Sequence, residues 1–316
     1  MPTRFRADAR TPGNREHDDE SSLVMTESRF RRFCQSVRHA PGLRSADALW
    51  NLLRSPYHRI LNAGGQGVEV AIGGACIARI PGELAGGSLD TYEPQAVAAM
   101  VDWLRRAHRP LLLDVGSAVG ILSVAGLAAT PDSEVIAFDS DLSSLKAVER
   151  ICKHYAASRL TLVHGFISDT HKSGRTLSEA SGDTRARIAQ SKVTGDPGTT
   201  AYVCLDQDHS PDIPTHCLDR LLDAGSLSGR DVILKCDVEG AELLVLQGAR
   251  KLLESVHPAL LLSVHPPALP HYGHSVTQVR AYLESFGYQV AILSVDHEEH
   301  WWCETARSGE WRESRS

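Results

Sequence analysis

Between residues 111 and 295 the chain repeats one pattern: a short, unbroken apolar run ending in acids or glycine, then a segment of helical periodicity. LLLDVG (111–116) precedes GILSVAGLAAT (120–130), and EVIAFDSD (134–141) precedes LSSLKAVERICKHYAA (142–157). LTLVHGFIS (160–168), DVILKCDV (231–238), ALLLSVH (259–265) and QVAILSV (289–295) are further apolar runs. AELLVLQGARKLLESV (241–256) and SVTQVRAYLESFGY (275–288) are further helical segments. A strand with no polar alternation has no side for solvent and must be covered on both faces. Such strands alternating with helices build a parallel sheet between two helical layers. The expected fold is α/β, a Rossmann-like, doubly wound, mostly parallel sheet.

Around this core the punctuation differs. Residues 67–82 carry two β-rich arms about Gly73-Gly74, a hairpin signal. Residues 91–108 read as a helix with Pro94 in its first turn, where a missing N–H costs nothing. Phe30, Phe33 and Val37 fall at helical spacing within 23–61, with Arg29, Arg31 and Arg32 as a solvated face. Residues 23–108 are therefore expected to form an N-terminal helical and hairpin subdomain, and 109–303 the main domain. The polar, Gly/Ser/Thr-rich 171–200 reads as a loop or insertion. AYVCL (201–205) looks extended, THCLDRLLDAG (215–225) helical, and the stretch near HWWC (300–303) a last strand. Residues 1–22 and 304–316 are charged and poor in large apolar groups, and so are expected to be flexible tails.

A net charge of −6 gives no general attraction to nucleic-acid phosphates. No apolar run approaches the ~20 residues of a membrane span, and the first twenty residues lack the apolar segment of a secretory signal. Seven scattered cysteines (34, 76, 152, 204, 217, 236, 303) without a CxxC pair fit a reducing cytosol and argue against a structural zinc site. HEEH (297–300) spaces its histidines three apart rather than four, so it is no metalloprotease motif. No metal site is assigned.

In a doubly wound sheet, ligands bind beyond the carboxyl ends of the strands, where the strand order reverses. The first strand leads into Asp114-Val115-Gly116-Ser117-Ala118-Val119-Gly120. Gly116 permits a tight turn and Gly120 a close helix–strand approach. Ala118 breaks the dinucleotide GxGxxG pattern. Asp139, twenty-three positions after Gly116, ends the second strand, where a carboxylate can accept both ribose hydroxyls. Asp141 is better placed to cap the following helix. Ser168 and Asp169, after the third strand, can reach an adenine edge or cap a loop.

The blocks LLLDVGSAVG (111–120), VIAFDSD (135–141), THCLDRLL (215–222), ILKCDVEGAELLVLQGA (233–249) and ALLLSVHP (259–266) together resemble the FkbM-type methyltransferase family. Asp-Val-Glu-Gly-Ala-Glu is the distinctive part, and Tyr92-Glu93-Pro94 before the upstream helix is similar too. The resemblance covers roughly 90–295 and implies a class I methyltransferase fold with S-adenosylmethionine as methyl donor. It implies O-methylation of hydroxyls on sugars, polyketides and other small or glycan acceptors, with Asp114, Gly116, Ser117, Gly120, Asp139, Ser168 and Asp169 on the donor side. Asp139-Ser140 stands where the family more often has Glu-Pro, and Ser263 where it usually has Glu.

Methyl transfer needs alignment and, for an alcohol, removal of its proton. Asp237, at the end of the fourth strand, faces the methionine half of the donor or the acceptor. Glu239 lies at the same carboxyl edge. Glu242 reads as the negative residue a helix N-terminus prefers. His265 is the candidate general base, since a histidine exchanges a proton near neutrality; a structural role under Pro266-Pro267 is the alternative. His271 and His274 can border the acceptor. Two other functions compete: an NAD(P)-dependent oxidoreductase, opposed by the missing GxGxxG, and a catalytically silent nucleotide-binding or scaffold protein.

Overall fold

A computed structural model describes residues 65, 67–85, 88–191, 213–222 and 227–306. The chain divides into two units, Met1–Val68 and Glu69–Ser316. The readings made on 1–64, on 201–205, on Cys34 and Cys204, and on the tail beyond 306 lie outside the described residues.

The first described elements are β1 (Val68–Ile72) and β2 (Cys76–Ile80), a two-stranded sheet turned by Gly73 and Gly74 at positive φ. Helix α1 (Pro94–Arg106) starts on the expected proline. Then come β3 (Leu111–Val115), α2 (Ile121–Ala129), β4 (Glu134–Asp139), α3 (Leu142–Ile151), β5 (Leu160–His164) and β6 (Phe166–Ile167). They are followed by α4 (Leu177–Gln190), β7 (Thr215–His216), α5 (Leu218–Leu221) and β8 (Val232–Asp237). The last elements are α6 (Glu242–Gly248), α7 (Arg250–Ser255), β9 (Ala259–Val264), α8 (Val276–Glu284), β10 (Tyr288–Val295) and β11 (Glu299–Thr305).

Seven strands form the main sheet in the order β10-β11-β9-β8-β3-β4-β5. Neighbours from β9 to β5 are parallel, while β11 is antiparallel to both β9 and β10. This is the expected doubly wound, mostly parallel α/β sheet, in the class I methyltransferase arrangement. Every residue of β3 and of β9 is buried, as unbroken apolar runs require. The chain builds outward from β3 through β4 to β5, then crosses back to lay β8 on the other side of β3. The carboxyl ends of β3 and β8 are therefore the point where the order reverses.

Three local readings change. Within 171–200, residues 177–190 are a helix, started by a capping box in which Thr176 and Glu179 satisfy each other's backbone N–H. The third apolar run is two strands, broken at Gly165 (φ 149°), where a Cβ would stand 2.4 Å from the Pro214 carbonyl oxygen. Of 215–225, only Leu218–Leu221 is helical among the described residues, and Thr215–His216 pairs with Phe166–Ile167. The described cysteines, 76, 152, 217, 236 and 303, are free and buried. Among the described residues no helix is long and apolar enough to cross a membrane.

Candidate active site

The loop after β3 closes against the end of β8. Gly116 sits at φ 76°, and a Cβ there would lie 1.8 Å from the backbone oxygen of Asp237. Only glycine tolerates both the left-handed backbone and that approach. Gly116 and Ser117 donate their N–H groups to the Phe138 carbonyl, tying the loop to β4 as well. Gly120 (φ 81°) N-caps α2 and lets it press on α3, since an added Cβ would stand 3.0 Å from the Val148 Cα. Between them Ala118 occupies positive φ (46°), an uncommon conformation for a residue with a Cβ.

Ala118 also donates its N–H to Asp139 Oδ2 (2.8 Å), and Asp141 donates its N–H to Asp139 Oδ1 (2.8 Å). Asp139 is thereby held at the end of β4 with both oxygens facing backbone donors. Burial pushes its carboxyl up to about 6, against the pull of those two N–H groups. The helix cap is Asp141, which accepts from the N–H groups of Ser143 and Ser144.

A cleft of about 210 Å³ opens over this point. Gly116, Ala118, Asp139, Ser140, Asp237, Val238, Glu239 and Tyr272 line it, and Phe138, Phe166 and Ile167 supply apolar surface. Gly116, Asp139, Asp237 and Glu239 thus share one cavity. Asp114, Ser117, Gly120, Ser168, Asp169 and His265 do not line it. Ser168 is buried and donates to Asp169 Oδ1 (2.9 Å). Ser117 is buried, with its Oγ unpartnered among the described residues. His271 and His274 lie on the segment that presents Tyr272 to the cleft.

Asp114 points behind the loop. It is fully buried, accepts from Ser123 Oγ (2.5 Å) and pairs with Lys235 Nζ (3.2 Å). Lys235, itself buried, also donates to the Gly116 carbonyl and lies 3.7 Å from Asp237 Oδ2. Burial alone would discharge this lysine, but the fields of Asp114 and Asp237 outweigh it and hold the ammonium. Sequence reasoning gave Lys235 no role, although a lysine inside an apolar strand needs an anion; the fold supplies it, with Asp114 and Lys235 as register partners on adjacent strands.

Four carboxylates surround His265, at the end of β9. Nδ1 bonds Glu242 Oε1 (2.7 Å) and Nε2 bonds Glu298 Oε2 (2.7 Å), with Glu239 Oε2 at 3.3 Å and Asp237 Oδ1 at 3.7 Å. Burial disfavours the imidazolium, yet the hydrogen bonds to Glu242 and Glu298 override it and push the pKa up to about 11. Both ring nitrogens are thus taken up by carboxylates, so the structure does not present His265 as the free imidazole that a base working near neutrality needs. Glu242 stands in the first turn of α6 as expected, but it is also wholly buried, and its Oε1 takes the Gly240 N–H (2.9 Å) besides His265.

Burial raises the carboxyl pKa of both Asp237, opposed by Lys235, and Glu239, opposed by His265. Glu298 comes from the turn between β10 and β11, inside the HEEH stretch, and His300 lies 3.3 Å from its Oε1. Ser263 Oγ contacts His300 Nδ1 (3.3 Å).

Residues 114–290 match the family model described as Methyltransferase FkbM domain. No curated protein matches the sequence. Among solved structures, the chain is similar to the methyltransferase FkbM of Methylobacillus flagellatus KT, with 16% identity, TM-score 0.41, and 66% of this chain and 52% of that one covered. It thus spans about half that protein's length. Precorrin-6y C5,15-methyltransferase of Geobacter metallireducens GS-15 aligns with 14% identity, TM-score 0.38, and 70% and 91% covered. Human N-acetylserotonin methyltransferase in complex with SAM aligns with 13% identity, TM-score 0.33, and 67% and 51% covered.

Proposed function

The chain belongs to the FkbM methyltransferase family, and from that premise we propose that it transfers a methyl group from S-adenosylmethionine to a hydroxyl oxygen of a small-molecule or glycan acceptor. The observation that carries this is the shared cleft at the point of strand reversal, lined by Asp139, Asp237 and Glu239.

The residues fit a nucleoside-bearing donor. Asp139 is a cleft-lining carboxylate whose oxygens each take one backbone N–H and keep capacity for ribose hydroxyls. Phe138, Phe166 and Ile167 offer apolar surface to a base. When bound, S-adenosylmethionine supplies an electrophilic methyl on a sulfonium sulfur. The chain's own part is to align and to deprotonate. Gly116 and Gly120 hold the loop at the β8 edge, and Lys235 fixes that loop through the Gly116 carbonyl. Asp237, its carboxyl pKa raised by burial, stands where a hydroxyl proton can be taken. His265, 3.7 Å from Asp237 Oδ1 and 3.3 Å from Glu239 Oε2, positions both rather than acting as base.

The test is incubation with methyl-labelled S-adenosylmethionine and a panel of hydroxylated sugars and polyketide alcohols, with products read by mass and by NMR. Label bonded to oxygen is expected, with kcat lowered in Asp237→Asn. Label found only on nitrogen or carbon would overturn the assignment.

A further inference from the structure

Nε2 of His265 faces three carboxylate oxygens from two segments: Glu298 at 2.7 Å, Glu239 at 3.3 Å and Asp237 at 3.7 Å. One ring N–H can satisfy only one of them well. Lys235 is committed to Asp114 and the Gly116 carbonyl, and stands 3.7 Å from the other oxygen of Asp237. Asp237 and Glu239 are partly exposed while Glu298 and His265 are buried, and the group carries more anion than one ring N–H can satisfy, a cost that a cation removes.

The spacing suits one. Ligands about 2.1 Å from an octahedral cation lie about 3 Å from their nearest neighbours, and the three separations bracket that value. Asp237, Glu239 and His265 also offer ligand atoms that all lie within 4.8 Å of one another. A separate observation comes from behind the ring. Glu242 is wholly buried with Oε1 on Nδ1, and its Oε2 has no hydrogen-bond partner among the described residues. A carboxylate on the far nitrogen is how metal-ligating histidines are oriented and made more basic.

We propose that Asp237, Glu239 and Nε2 of His265 bind one divalent cation at the edge of the cleft, in place of the Nε2 proton that Glu298 now accepts. Two carboxylates with one imidazole suit a hard or borderline ion such as Mg²⁺ or Mn²⁺. The role given to the cation rests on the reading of the cleft as a hydroxyl-methylating site. An acceptor hydroxyl coordinated there loses its proton more readily. The oxygen–methyl bond forms as the sulfur–methyl bond breaks, and the hydroxyl proton passes to Asp237 Oδ2, the oxygen turned away from His265.

The experiment titrates Mn²⁺ into the full chain after chelator treatment, reading free Mn²⁺ by electron paramagnetic resonance. One Mn²⁺ per chain is expected, with affinity about tenfold weaker or less in Asp237→Asn and Glu239→Gln. Thermal unfolding supplies the second readout. Without metal, Glu239→Gln keeps or raises the midpoint, because it removes an uncompensated carboxylate; added Mn²⁺ raises the wild-type midpoint and not the variant's. A wild-type protein that binds S-adenosylhomocysteine but no Mn²⁺ overturns the cation site and leaves the methyl-donor reading intact. Equal Mn²⁺ affinity in wild type and both variants overturns it as well. Mn²⁺ binding without S-adenosylhomocysteine binding supports the site and removes only its role.

Discussion

Replacing Lys235 by Met keeps the volume of a buried side chain and deletes its charge. Asp114, fully buried, then keeps only the Ser123 hydroxyl and loses an ammonium at 3.2 Å; the Gly116 carbonyl loses its donor. Asp237 is partly exposed and 3.7 Å away, so it contributes less. Breaking a buried ion pair from one side costs about 3–5 kcal/mol, mostly as the penalty on the stranded partner. Lys235→Met should therefore lose about 3–5 kcal/mol in urea unfolding at neutral pH, followed by tryptophan fluorescence. Asp114→Asn combined with Lys235→Met removes the stranded charge and should return to within about 2 kcal/mol of wild type. A loss below about 1 kcal/mol in the single variant, or a double variant as unstable as the sum of its singles, would refute the reasoning.

Other outcomes follow from the same geometry. Asp139→Ala should weaken S-adenosylhomocysteine binding by about 1–3 kcal/mol, since a buried partner is left unpaired; unchanged affinity would assign Asp139 to loop structure alone. Ribose hydroxyls need the ionised carboxylate, whose pKa burial has raised to about 6. Affinity measured by calorimetry should then be flat above pH 7 and about tenfold weaker at pH 5. The sign for folding runs the other way: a carboxyl with a raised folded pKa contributes stability that is present below its unfolded pKa and is lost as pH rises through about 6. Gly116→Ala adds about 1–2 kcal/mol of left-handed backbone strain and drives a Cβ into the Asp237 carbonyl. Donor affinity and the unfolding midpoint should both fall, and a variant with normal values of both would contradict the loop account.

The main sheet was legible because its signal is local. LLLDV and ALLLSV are apolar without interruption, and burial on both faces leaves them no other place. Asp141 as helix cap was legible for the same reason, since its partners are two and three residues away. Helix α4 was hidden by its Gly, Ser and Thr content, although Thr176 and Glu179 form a capping box plain in the sequence. The pairing of β6 with β7 joins two-residue strands far apart in the chain, which no periodicity reveals.

The candidate site divides along the same line. Gly116, Asp139 and Asp237 each end a strand, and strand ends can be read. Glu242 and His265 are 23 residues apart, and Glu298 reaches them from a hairpin turn. Helix-dipole logic placed Glu242 in the first turn of α6 but could not supply its bond to His265, and free-imidazole logic for His265 lacked the carboxylate partners that only the fold brings.

The central claim is that the cleft between Asp139 and Asp237 holds a methyl donor. Calorimetric titration of the wild-type chain with S-adenosylmethionine, S-adenosylhomocysteine and NAD tests it most directly. Saturable micromolar binding of the two sulfur ligands and no heat with NAD are expected. Binding of NAD, or silence with both sulfur ligands, would contradict it.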